Sequence, residues 1–135
     1  MPIFEWKLEY SVNIKILDDQ HKQLIETINL LHDAVGKGKG KEILPKVLKR
    51  LTEYVTTHFD TEEQLMVKYG YPDYAPHKKE HDYCISKVSG FKTKMDKGDV
   101  NLEVTISVFL VEWLRTHLIE SDGRYRDFFK EKGVS

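Results

Sequence analysis

The sequence predicts an all-α fold: an up-down-up-down four-helix bundle with an extended N-terminal arm and a short C-terminal helix. Four stretches repeat their apolar residues at helical spacing. Short turn-forming segments separate them, which favours antiparallel neighbours. Histidines and carboxylates recur four residues apart along the same stretches, the spacing that stacks two side chains on one helix face. A chain of 135 residues can bury one substantial core, so a single domain spanning 1–135 is expected.

Over the first seventeen residues Trp6, Leu8, Tyr10, Val12, Ile14 and Ile16 alternate with polar residues. That is a strand pattern, but no second alternating run exists to pair with it. An arm lying with its apolar side along the bundle is the expectation. The first helix runs from Asp19 to Val35, with His21, Leu24, Ile25, Ile28, Leu31 and Val35 on one stripe, Asp18 as its N-cap and Gly36 as its stop. The second covers Lys41 to Val67 and turns Val47, Leu48, Leu51, Tyr54, Val55, His58, Phe59, Glu62, Leu65 and Met66 inward. Pro45, tolerated only in a first turn, argues that this helix begins just before it. Tyr71-Pro72-Asp73 breaks the chain, and Pro76 opens a third helix with His77, His81, Cys84, Ile85, Val88, Phe91 and Met95 inward. After a turn at Lys97-Gly98-Asp99, the fourth carries Leu102, Ile106, Phe109, Leu110, Trp113 and His117. Tyr125, Phe128 and Phe129 mark a short terminal helix that packs back.

Composition removes several classes of function. A net charge of −1 gives no electrostatic case for nucleic acid or anionic lipid. No segment approaches the roughly 18 consecutive apolar residues of a membrane span, and Met-Pro-Ile-Phe-Glu-Trp lacks the basic start of a signal peptide. One cysteine cannot form an internal disulfide, so a reducing, cytoplasmic setting is expected.

Five of the six histidines fall into a constellation with two carboxylates: His21, His58-x-x-x-Glu62, His77-x-x-x-His81 and His117-x-x-x-x-Asp122. Imidazole and carboxylate in this proportion suit a transition metal such as iron, and seven ligands are too many for one ion. In the bundle, the start of helix one lies beside the end of two, the start of three and the end of four. All seven residues therefore fall at one end. His32 lies eleven residues beyond His21, about 16 Å along the helix at 1.5 Å per residue. It reads as a histidine at the edge of the core. One spacing breaks the pattern, because residues five apart diverge by about 140° on a regular helix. A widened turn, or a bend near Ser121–Gly123, would bring Asp122 round to face His117. Without a metal, seven such groups buried at one level would be costly. A di-zinc hydrolase would need substrate room and a free general base, and no spare inward carboxylate is evident. Cys84 reads as structural filler, and Gly36–Lys41 as a solvated loop that lacks the features of a phosphate-binding turn.

The segments Asp18-Asp19-Gln20-His21, His58-Phe59-Asp60-Thr61-Glu62-Glu63-Gln64-Leu65-Met66, Tyr71-Pro72, His77-Lys78-Lys79-Glu80-His81 and Trp113-Leu114-Arg115-Thr116-His117, followed by Asp122 and Tyr125, resemble the hemerythrin family, in particular its single-domain bacterial members. The resemblance implies that Glu62 and Asp122 bridge two non-heme irons joined also by an oxygen. His77, His81 and His117 would complete one iron, and His21 with His58 would serve the other. Five imidazole bonds, four from the carboxylates and two from the bridging oxygen fill all but one position of two octahedral ions. The resemblance implies that dioxygen takes that position, held as a hydroperoxide after both irons are oxidised. Apolar residues around it would be Leu24, Phe59, Trp113, Leu114 and Leu118. The oxygen-activating di-iron class instead uses four glutamates and two histidines. A histidine-rich set favours the ferrous form and argues for binding dioxygen without cleaving it. The expected function is thus non-enzymatic dioxygen transport, storage or supply, by a monomer, with an oxygen-consuming enzyme as recipient. The alternatives are a di-iron peroxidase, oxidase or nitric oxide detoxifier, and an iron store or sensor working through a partner.

Overall fold

The computed structural model describes residues 4–134. Four long helical stretches form the bundle: α1 (Lys15–Gly36), α2 (Gly40–Tyr69), α3 (Tyr74–Asp96) and α4 (Leu102–Trp113). α4 passes without a break through a π-helical segment (Leu114–Ser121) into α5 (Asp122–Glu131). Successive helices pack on one another and α4 returns to α1, which closes the up-down-up-down ring. No strand occurs among the described residues, and no helix there is long and apolar enough to cross a membrane.

Several boundaries differ from the sequence expectation, each for a local reason. α1 begins at Lys15, so Asp18 lies inside the helix and does not cap it. Its carboxylate instead accepts from the Val12 N–H at 2.8 Å and the Ser11 hydroxyl at 2.5 Å, pinning the arm to the helix start. α1 also runs through Gly36. α2 starts at Gly40, a turn earlier than Pro45 alone suggests. Gly40 is needed there, because a Cβ would stand 2.6 Å from the Glu103 Cγ and 2.9 Å from a Val35 methyl. α2 ends at Gly70, whose φ of 70° lets the following Tyr71 N–H bond back to Met66 O at 2.9 Å. α3 opens at Tyr74, before Pro76. Ile85 faces outward, since the buried stripe of α3 is the narrower line His77, His81, Cys84, Val88 and Phe91.

The arm alternates only in part. Val12 and Ile14 are buried, but Leu8 and Ile16 are exposed, because a 3-10 turn (Leu8–Tyr10) and the early start of α1 interrupt the strand period. Phe4 is held to α1 by paired bonds with the Asn29 amide at 3.0 and 2.7 Å. His32 is exposed, farther out than a core-edge histidine.

Apolar side chains form two clusters. The larger fills the bundle and includes Leu24, Ile28, Leu51, Phe59, Val88, Phe91, Ile106, Leu110, Trp113, Leu114 and Leu118. The smaller joins the arm and tail at one end through Val12, Ile14, Leu17, Met66, Tyr71, Tyr125 and Phe129. His21, His58, Glu62, His77, His81, His117 and Asp122 belong to neither. They occupy the end of the bundle where the arm and tail cluster closes over it.

Candidate metal centre

α1 supplies His21, α2 supplies His58 and Glu62, α3 supplies His77 and His81, the π segment supplies His117, and α5 begins with Asp122. All seven are buried, none more than 3% exposed. The π segment resolves the spacing problem: the Asp122 N–H bonds to the carbonyl of His117, five residues back. That wider turn sets the carboxylate over the imidazole, with His117 Nε2 3.1 Å from Asp122 Oδ1. Gly123 stays helical and breaks nothing.

The two carboxylates divide their oxygens between two groups of imidazoles. Glu62 Oε1 lies 3.0 Å from His81 Nε2 and 3.6 Å from His77 Nε2, and Asp122 Oδ1 lies 3.2 Å from His77 Nε2. On the other side, Glu62 Oε2 lies 3.2 Å from His58 Nε2 and 3.5 Å from His21 Nε2, while Asp122 Oδ2 lies 3.0 Å from His21 Nε2. Three imidazoles thus share one pair of oxygens and two share the other. Close as they are, all five Nε2 atoms, Glu62 Oε1 and both Asp122 oxygens make no hydrogen bond. Leaving so many buried polar atoms unpaired would be costly, whereas atoms converging on a shared centre are what cations require. The donor atoms form two groups, Glu62, His77, His81 and His117, and His21, His58, Glu62 and Asp122, and within each group all lie within 4.8 Å of one another. The donor set fits two borderline transition-metal ions.

Three of the outer ring nitrogens have partners of their own. His58 Nδ1 lies 2.5 Å from Gln20 Oε1, His81 Nδ1 3.0 Å from Glu63 Oε2, and His117 Nδ1 3.4 Å from Glu80 Oε1. Each acceptor calls for a proton on Nδ1 and leaves Nε2 free to ligate. Ser121 donates to Glu80 at 2.6 Å, and the buried Tyr125 hydroxyl donates to Glu62 Oε2. Aromatic faces fix three of the rings: Phe59 stacks on His81 at 3.9 Å, Trp113 on His117 at 4.2 Å and Tyr54 on His58 at 4.7 Å.

In the metal-free chain, burial opposes charge on His21 and His77. The Asp122 and Glu62 carboxylates outweigh it, lifting His21 to about 9 and His77 to about 10. Burial would likewise raise Glu62, but the surrounding imidazoles hold it well below the usual carboxylate range. A metal entering this pocket therefore competes with protons already held there.

Leu24, Phe59, Trp113, Leu114 and Leu118 are all buried in the larger cluster, and Phe59 and Trp113 touch the His81 and His117 rings directly. A groove of about 590 Å³ between α1 and α2, lined among others by Gln20, Tyr54 and His58, reaches the two-histidine side from solvent.

The Hemerythrin HHE cation binding domain matches residues 12–126. The chain belongs to the hemerythrin family. It is 35% identical over 126 residues to the bacteriohemerythrin of Methylococcus capsulatus, covering 93% of this chain and 95% of that protein. It is 37% identical to the bacteriohemerythrin of Pseudomonas paraeruginosa, covering 90% of this chain and 78% of that one. A crystal structure of wild-type hemerythrin superposes with a TM-score of 0.79 at 34% identity, over 93% of this chain and 96% of that one. Hemerythrin membership agrees with the four-helix bundle and suggests a di-iron, oxygen-binding protein.

Sequence reasoning gave no role to Gln20, Glu63, Glu80, Ser121 or Tyr54. A signal was present: Gln20, Glu63, Glu80 and Ser121 each adjoin a residue of the constellation. Adjacent residues on a helix point about 100° apart, so a neighbour of an inward ligand aims sideways at the next helix.

Proposed function

We propose that this chain reversibly binds dioxygen at two non-heme irons, for oxygen transport, storage or supply, as a single domain and without catalysing a reaction. The observation that carries this reading is the division of Glu62 and Asp122 oxygens between a three-imidazole and a two-imidazole group. In it, Glu62 and Asp122 would serve both irons, His77, His81 and His117 would hold one, and His21 with His58 would hold the other. The side with fewer ligands would have room for dioxygen. A ferrous pair, when bound, would supply the electrons that hold it. The protein's part is to fix His58, His81 and His117 through their outer nitrogens, to hold Glu62 with the Tyr125 hydroxyl, and to exclude water with Leu24, Phe59, Trp113, Leu114 and Leu118. Five neutral imidazoles against two carboxylates support binding over oxygen activation. An oxygen-consuming enzyme is the natural recipient.

The test is anaerobic reconstitution with ferrous iron, followed by alternating dioxygen and argon in an absorption spectrometer. Two irons per chain and a visible charge-transfer band that comes and goes with dioxygen are expected. His58→Ala and Glu62→Ala should abolish the pair, whereas His32→Ala should retain it. A single iron, or equal loss on replacing His32, would overturn the ligand assignment. Steady peroxide-driven turnover of a reductant would favour an enzyme instead.

A further inference from the structure

The two halves of the centre differ in the charge placed behind their ligands, beyond the difference in ligand number. On the three-histidine side, two imidazoles face carboxylates: His81 Nδ1 at 3.0 Å from Glu63, and His117 Nδ1 at 3.4 Å from Glu80. Lys78, 3.5 Å from the other Glu63 oxygen, offsets part of one charge from a partly exposed position. Ser121 donates to Glu80 and keeps it aimed at the ring. On the two-histidine side no anion plays this part. His58 Nδ1 meets the neutral amide oxygen of Gln20, and His21 Nδ1 is buried with no hydrogen-bond partner.

An anionic acceptor polarises the Nδ1–H bond, moves electron density towards Nε2 and makes the imidazole a stronger donor. Stronger donors favour the higher oxidation state and lower the reduction potential, while a neutral or missing acceptor does the opposite. We propose that Glu63, Glu80 and Gln20 are positioning residues that set unequal potentials on the two metals, with the three-histidine metal the easier to oxidise. This deepens the di-iron reading and rests on it. The metal with the open position is then the one that gives up its electron less readily, which protects it against outright oxidation between binding events.

Gln20→Glu is the direct test, since it keeps the size and the acceptor while adding the charge. A purely positional role for Gln20 would leave the potentials unmoved. In the iron-loaded protein, a spectroelectrochemical titration should resolve two one-electron steps. Gln20→Glu should lower the higher of the two by on the order of 60–120 mV, equivalent to a tenfold to hundredfold change in relative ferric affinity. Glu63→Gln should raise the lower step and leave the higher one in place, an independent variant should Gln20→Glu fail to fold. Chelator withdrawal of cobalt(II) supplies a readout that needs no dioxygen: retention of one metal should strengthen in Gln20→Glu and weaken in Glu63→Gln. Two bound irons with potentials that neither variant moves would overturn the inference and leave the di-iron reading standing. A chain that holds a single iron would overturn both. Two irons with shifted potentials but no reversible dioxygen band would overturn only the dioxygen reading.

Discussion

Leu114 shows how far one residue can be both core and function. It is fully buried in the larger cluster, one turn before His117. Truncation to alanine should cost about 2–5 kcal/mol, as at other well-packed leucines. If the residue also keeps the open position dry, Leu114→Ala that still folds and binds two irons should autoxidise faster than the parent. Equal lifetimes of the oxygenated forms, followed by absorption after matched iron loading, would reduce Leu114 to packing alone. Cys84 is the contrasting case. Burial pushes its thiol up to about 12, and it sits in the core with nothing to ligate, as its place on the inward stripe of α3 suggests. Residues on that stripe, Ile85 apart, could be read from period alone. Glu63 and Glu80 could not, because a carboxylate on a charged helix flank looks the same whether it meets water or an imidazole.

Among the elements, the π segment has the largest consequence for its length. The five-residue spacing of His117 and Asp122 showed that a regular helix could not serve there. Whether the chain would widen or bend was not legible, since a glycine at 123 allows a bend and the structure keeps it helical. Widening wins because α5 must also arrive with Tyr125 and Phe129 facing Val12, Leu17, Met66 and Tyr71. A bend at Gly123 would have spoiled that register. Deleting the exposed Glu120 should test this. It would restore a four-residue spacing, and a regular turn can then set the carboxylate over the imidazole as the wide turn does, with Tyr125 and Phe129 kept in register. The metal-free variant should therefore unfold near the parent's denaturant midpoint and still take up two irons. A large loss of stability, with faster hydrogen exchange in α5, would show that the wide turn holds a register that a regular turn cannot. The arm was misread for a related reason: alternation over a few residues cannot distinguish a strand from a chain that turns once and enters a helix early.

For the whole molecule, metal and proton compete for the same buried nitrogens. In the metal-free chain His21 and His77 stand at about 9 and 10, so both sites hold protons at neutral pH. Loading with ferrous iron should therefore release protons, detectable with an indicator in weak buffer, and apparent affinity should rise with pH until about 10. Acid should strip the metal, with iron content after stepwise dialysis falling as the pH drops. The sign reverses for metal-free stability. Raised histidine pKa values contribute stability present below the unfolded value of about 6.5 and lost as pH rises through 9 to 10. Bundle topology and the seven converging residues were legible because both follow from helical period and alternating helix direction. The aromatic supports and the groove behind His58 were not, since they depend on how neighbouring helices rotate against each other.

The outer contacts run in one direction along the chain. Gln20 on α1 serves His58 on α2, Glu63 on α2 serves His81 on α3, and Glu80 on α3 serves His117 in the π segment after α4. A polypeptide is made from its N-terminus, so each of these clamps exists before the ligand it holds. A helix made later would meet a predecessor that already carries its receptor. His21, the first of the imidazoles made, has no such predecessor, and its outer nitrogen is the one left without a hydrogen-bond partner among the five imidazoles' fully buried Nδ1 atoms. Asp122, the second carboxylate of the cluster, arrives last, as the first residue of α5. A ferrous ion meeting the chain during synthesis would thus find most of a site waiting, and complete it only when the tail closes over the end of the bundle.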